Sequence, residues 1–421
     1  MVGALIVVGL AVAAFVGYNI GGSSTGVAFG PAVGSRIVGK ATAGALFTVF
    51  ALVGAWTVGR NVIHTMSGAI VPASQFTPEA AVGVLFFAGL GLLLANVYGV
   101  PASTSMTAVG AIVGLGLATG TLNAALMFTI VSAWIVAPLV GFFTGAIVGR
   151  YLYPHLDARF TFGRLDRPLV WLDRSGTIPR PRLNDDATQT DLVGSALVVV
   201  IACYMGFSAG ASNAANAVAP LVGNGSITIE QGIAPAVAAI GLGGFTIARR
   251  TLATVGDDIT ELPILAALVV SVIGSTIITV LSQLGIPASL AVSTTCCIIG
   301  LGWGRASRAR TLAEIATPGD HHGGDPVPTT GALAVPSTEN DTPTGPTVGE
   351  LATGEADALR EGADRDAPVQ QIGKETFEAH AAESLFNPSA VARIVTLWVV
   401  TPILSVVGSY LLFALLQGGV P

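Results

Sequence analysis

The sequence predicts an all-α polytopic membrane protein built from two inverted repeats of about five spans each, with broken or re-entrant helices. Three observations carry that expectation. Hydrophobic residues make up 52% of the 421 residues and charged residues only 10%, and mean hydropathy is +0.73, far from the balance of a water-soluble domain. The stretch Gly17–Gly34, GYNIGGSSTGVAFGPAVG, returns 189 residues later as GFSAGASNAANAVAPLVG at Gly206–Gly223. Basic residues then fall in non-equivalent loops of the two copies, as expected when equivalent loops lie on opposite sides of a bilayer.

Apolar runs near the roughly 20 residues needed to cross a bilayer place the elements. In the first repeat, residues 1–152, the expected spans are Val2–Tyr18, Ala41–Val58, Phe76–Val97, Ser103–Leu117 and Asn123–Leu152. No basic residue precedes the first run and no cleavage site ends it, so it reads as a retained span. Gly17–Gly34 is too rich in Gly and Ser for an uninterrupted lipid-facing helix, and so is Pro101–Ser105; both are expected to be interrupted and buried among neighbours. Residues 153–191 form a polar connector carrying Arg159, Arg164, Arg167, Arg174, Arg180 and Arg182.

The second repeat, residues 192–305, supplies Leu192–Phe207, Glu230–Ile247, Leu262–Leu284 and Ser289–Trp303, and its last span, Val391–Leu416, falls in residues 390–421. Pro101-Ala-Ser returns 186 residues later as Pro287-Ala-Ser, whereas Trp134-Ile-Val-Ala-Pro returns 264 residues later as Trp398-Val-Val-Thr-Pro. The jump in shift marks an insertion, residues 306–389, rich in Gly, Pro, Thr, Asp and Glu. Too little apolar surface is available there to fold alone, and a disordered loop is expected.

The net charge of −6 belongs to that insertion, where Thr311–Ser389 holds 14 acids and 3 bases. Lys occurs only at Lys40 and Lys374, which together with the acidic segment hints at a high-salt habitat. By the positive-inside rule Arg36, Lys40, Arg305, Arg308 and Arg310 are cytoplasmic. The connector and acidic loop then lie inside a plasma membrane and both termini outside; Arg60 is the exception to that assignment. Cys203, Cys296 and Cys297 stand in apolar sequence without metal-ligand spacing and read as packing thiols.

Inverted repeats with paired helix interruptions point to a secondary transporter that holds its substrate between the repeats. Ser23, Ser24 and Thr25, Ser103, Thr104 and Ser105, Ser212 and Asn213, and Ser289 are natural caps for half-helices, whose leading N–H groups and positive dipole ends favour an anion. A tetrahedral oxyanion accepts several convergent bonds, and no Lys or Arg lies inside these motifs to prevent its release. The competing reading is that small hydroxyl residues serve helix packing. No carboxylate occurs in either motif to hold a cation. Asp257 and Asp258 read as a solvated loop or cap, and His64 as interfacial. An enzyme is not expected, because no nucleophile with a base, no metal-ligand cluster and no nucleotide loop is present. A channel remains an alternative.

These motifs resemble the inorganic phosphate transporter family of secondary permeases. The family's duplicated signature, near G-x-N-D-x-A-N-A-x-G-P/T, falls on Gly21–Pro31 and Gly210–Pro220. A second, near P-V-S-T-T-H, falls on Pro101–Met106, and a third, T-x-G-x-x-I-T, on Thr254–Thr260. The resemblance implies transport of phosphate, with sulfate as the alternative, coupled to Na+ or H+. It points to Asn19, Asn216 and Thr254 for the cation. Where the family has Asn-Asp, this chain has Ser23-Ser24 and Ser212-Asn213, so the expected carboxylates are missing, and Asn216 is matched by Val27 in the first copy. The partners expected are the anion and the lipid bilayer, with no cofactor and no nucleic acid; a homodimer is left open.

Overall fold

Long apolar runs closed by local caps produce the helices. The computed structural model describes residues 2–34, 37–100, 103–157, 170–173, 180–183, 189–246, 264–316 and 388–416. The first half comprises α1 (Val2–Gly34), α2 (Lys40–Thr57), α3 (Gly59–His64) running into a π-helical turn at Thr65–Ala69, α4 (Pro78–Val97), α5 (Thr104–Thr119), and α6 (Ala124–Ile147), which continues through a second π turn into α7 (Tyr153–Asp157). A short antiparallel hairpin, β1 (Val170–Asp173) with β2 (Arg180–Leu183), lies in the connector. The second half comprises α8 (Gln189–Gly223), α9 (Ile229–Thr246), α10 (Ile264–Gln283), α11 (Leu290–Ala316) and α12 (Pro388–Leu416).

Every predicted span overlaps one of these helices, but α1, α8 and α11 run past the predicted ends at Tyr18, Phe207 and Trp303, and residues 247, 262 and 263 of the predicted spans lie outside the described residues. Seven of the described helices are long and apolar enough to cross a membrane, whereas α5 is a shorter apolar helix of 16 residues, about 24 Å long and under the thickness of a hydrocarbon core. Caps fix the ends locally. Thr77 accepts from the Ala80 amide with Pro78 behind it at the start of α4, and Asn123 accepts from the Leu126 amide at the start of α6, each satisfying an otherwise orphaned donor. The turns before the two Pro-Ala-Ser segments carry Gly99 and Gly285 at φ 65 and φ 72, a left-handed conformation that favours glycine.

One expectation fails. Both signature stretches, Gly17–Gly34 and Gly206–Gly223, lie inside unbroken helices, α1 and α8. Their glycines are used for contact rather than interruption: a Cβ on Gly21 would land on the Ile240 carbonyl of α9, and one on Gly210 on the Ala51 carbonyl of α2. In α1 two polar side chains bond back to their own helix, Asn19 Nδ2 to the Phe15 carbonyl at 2.9 Å and Ser23 Oγ to the Ile20 carbonyl at 3.2 Å, while Ser212, Asn213 and Asn216 of α8 bond to other elements. Pro31 and Pro220 stand in the last turns. The interruption expected at Pro101–Ser105 is present, between the end of α4 and Thr104, and recurs between α10 and Leu290.

Contacts recur with the repeats exchanged. α1 packs on α9 and α4 as α8 packs on α2 and α10. The correspondence holds residue by residue, because Ile240 and Ala51 are themselves 189 apart. Gly54 meets the Phe207 carbonyl while Gly243 meets the Tyr18 carbonyl, and Gly114 of α5 meets Val406 of α12 while Gly300 of α11 meets Phe142 of α6. Each half thus completes the packing of the other. The exterior carries Val7, Val49, Phe128 and Phe143, while the interior holds Ser208, Ser275, Ser293 and Ser409, the arrangement a lipid solvent demands.

Arg60, the exception to the charge rule, forms an ion pair with Glu230 at 3.2 Å and lies over the Trp56 ring, so its charge is compensated across the two repeats. His64 is exposed, Cys203 and Cys297 are buried, and Cys296 is partly so. Helix α11 continues to Ala316, past the predicted end at Trp303 and into the start of the predicted loop. Residues 310–379 form a unit separate from residues 1–309 and 380–421. The rest of that loop, with Arg36, Asp257, Asp258 and Thr254, lies outside the described residues.

Candidate functional site

The two signature helices meet at their polar centres. Asn213 Nδ2 of α8 donates to Ser24 Oγ of α1 at 3.3 Å. These residues are repeat counterparts, 189 positions apart. Beside it is a cavity of about 20 Å³, room for one water-sized group. Ser23, Ser24 and Val27 of α1 form one wall, and Ser289 with Leu290 and Ala291 at the start of α11 form another; Thr104 and Asn213 reach in from the opposite side. Among the described residues no charged side chain lines it.

Local structure explains why donors converge there. Ser289 caps α11, its Oγ accepting from the Val292 amide at 3.4 Å and its carbonyl from the Ser293 amide at 3.2 Å. The amides of Leu290 and Ala291 precede the first possible intrahelical acceptor and lie at the positive end of a long helix. The preceding turn is pinned by Trp134, whose Nε1 donates to the Pro287 carbonyl at 2.7 Å. Such an array favours an anion.

The counterpart half is closed by its own hydrogen bonds. Thr104 Oγ1 donates to Asn213 Oδ1 at 2.5 Å, and Asn216 Nδ2 donates to the same oxygen at 3.2 Å and to Ser105 Oγ at 3.3 Å. Ser105 and Ser212 lie 3.3 Å apart, and both donate to the Ala288 carbonyl, at 3.0 and 2.6 Å. All of these side chains are buried, and each satisfied bond offsets a desolvation cost of about 1–3 kcal/mol.

The residues singled out from sequence therefore divide. Ser23, Ser24, Thr104, Asn213 and Ser289 line the cavity, while Ser105, Ser212 and Asn216 stand behind it in the closed network. Ser103 is buried, and its Oγ has no partner among the described residues. Thr25 turns away from the cavity to pack on Gly244 of α9. Asn19 lies elsewhere, accepting from Asn96 Nδ2 at 3.0 Å through both its Oδ1 and its carbonyl. Sequence reasoning missed Val27, Leu290 and Ala291 as lining residues. The repeat register held the signal, since they occupy the places of Asn216, Thr104 and Ser105, but a search for polar residues passes over apolar counterparts. Among the described residues no group of His, Cys, Asp and Glu could hold a metal ion.

Comparison with known proteins places the chain in a family. The sequence profile of the phosphate transporter family matches residues 20–318. Sulfate permease CysP of Bacillus subtilis is 31% identical over 290 residues, covering 68% of this chain and 74% of that protein. Inorganic phosphate transporter 2-1, chloroplastic, of Arabidopsis thaliana is 25% identical over 72% of this chain and 67% of its own. A solved structure titled the sodium-dependent phosphate transporter matches the fold with a TM-score of 0.63 at 16% identity, over 98% of this chain and 99% of that one. The chain belongs to the phosphate transporter family and is a multi-pass membrane transporter rather than an enzyme.

Proposed function

We propose that this chain is a secondary permease for inorganic phosphate, working by alternating access between its two inverted repeats. The observation that carries the reading is the uncharged, donor-lined cavity between α1 and α8 at the start of α11. Hydroxyls, an amide and leading helix N–H groups can meet the oxygens of a tetrahedral anion, and the lack of a fixed cation lets it leave. At about 20 Å³ the cavity must widen to seat four oxygens, which a relative movement of the repeats supplies. The plasma membrane location, with both termini outside, belongs to the same proposal.

Coupling to Na+ or H+ is part of the reading and rests on the family resemblance and on Asn216, whose buried Oδ1 has no partner among the described residues. Sulfate is the second reading. It is favoured because among the described residues no carboxylate lines the cavity to accept the proton that phosphate, unlike sulfate, carries near neutral pH. Uptake of radiolabelled phosphate and sulfate into proteoliposomes decides: saturable phosphate uptake supports the first reading, sulfate uptake alone the second, and uptake of neither removes both. Imposed sodium and proton gradients test coupling, and indifference to each makes the protein a facilitator.

A further inference from the structure

The cavity is unequal on its two sides in a way the repeat register makes readable. In the closed half, Thr104 Oγ1 and Asn216 Nδ2 donate to Asn213 Oδ1, Asn216 Nδ2 also donates to Ser105 Oγ, and only Asn216 Oδ1 has no partner among the described residues of that network. Their counterparts in the open half are Val27, Leu290 and Ala291, three apolar residues that line the cavity. The donors of the open half, Ser24 and the leading amides of α11, together with Asn213, meet only part of a ligand's surface, since the Ser23 hydroxyl already donates to the Ile20 carbonyl.

A tetrahedral dianion seated among those donors turns one vertex onto the apolar wall. An oxygen there is stripped of water and offered no donor, a loss that is larger for a charged acceptor than for a neutral one. A vertex that forms no strong hydrogen bond loses nothing on leaving water and gains contact with the wall. We propose that the cavity selects tetrahedral oxyanions in which one vertex is small and does not hydrogen-bond, of the phosphite and methylphosphonate type, seated with that vertex on Val27, Leu290 and Ala291. This rests on reading the cavity as the anion site and goes beyond it by naming the determinants of selectivity.

Isothermal titration of the full-length protein in detergent tests it, with phosphate, sulfate, phosphite and methylphosphonate as ligands at a pH where each is the dianion. Phosphite is expected to bind about tenfold more tightly than phosphate, which corresponds to about 1.4 kcal/mol. The Val27→Asn, Leu290→Thr double variant, which copies the closed half, should reverse that order, and Ala291→Ser, a smaller change, should reduce the preference. If the double variant does not fold, the wild-type ranking still decides. Phosphate binding as tightly as phosphite overturns the selectivity proposal even where phosphate is transported. A preserved preference without uptake of any of the four removes the permease reading and leaves the selectivity proposal standing. Failure of all four to bind removes both.

Discussion

Asn213 illustrates how one side chain can join the halves of the molecule. Its amide donates to Ser24 and accepts from Thr104 and Asn216, so its loss orphans several buried groups at once. Asn213→Ala is expected to abolish uptake and to cost about 1–3 kcal/mol of stability. Two serines at equivalent places should behave differently. Ser24 lines the cavity and holds one long bond at 3.3 Å, whereas Ser212 stands behind it and donates to the Ala288 carbonyl at 2.6 Å. Ser24→Ala should therefore lower uptake with little change in Tm, and Ser212→Ala should lower Tm by a few degrees, as about 1 kcal/mol does in a protein of this size. Equal effects in the two variants, by thermal unfolding and uptake together, would contradict this placement. Sequence identified both serines as candidates but not which one faces the cavity, because position around a helix depends on what the helix packs against.

At the scale of elements, the glycines that suggested broken helices are contact points between unbroken ones. Gly54 and Gly243 each lie where an added Cβ would strike a carbonyl of the other repeat's signature helix. Gly54→Ala and Gly243→Ala should therefore destabilise alike, by about 1–3 kcal/mol each. Gly30 also sits in α1, but its Cβ direction is open. Gly30→Ala should be neutral or stabilising by up to about 1 kcal/mol, through helix propensity alone. Thermal unfolding in detergent separates the cases, and a Gly30→Ala loss as large as the others would refute the contact explanation. The sequence marked these positions as special without distinguishing a kink from a close approach, since both favour glycine.

For the whole molecule, the exchange of contacts between repeats makes each half dependent on the other, and the Arg60–Glu230 pair adds a charged link across them. Residues 310–379 form a unit of their own, and the described cavity-lining residues all lie in the helical unit. Deleting residues 317–379 with a short flexible linker is expected to leave anion uptake within about twofold, since linker length adds little to closure cost. Loss of uptake in a variant that still elutes as a folded protein would assign the insertion a part in transport.

By itself the sequence determined the membrane character, the duplication, the approximate places of the helices and the interruption before α5. Composition, apolar run length and glycine-proline turns act locally, so each can be read from its own stretch of chain. The resemblance of its motifs also pointed to the family that the profile match establishes. Tertiary structure alone decided that the signature helices run unbroken, that the repeat counterparts Ser24 and Asn213 meet, and that Thr104, Ser105, Asn213 and Asn216 join in a polar network while Val27, Leu290 and Ala291 line a cavity. Those outcomes depend on which residues the other repeat brings opposite, across a separation of 189 positions, and that pairing exists only once both halves have packed together.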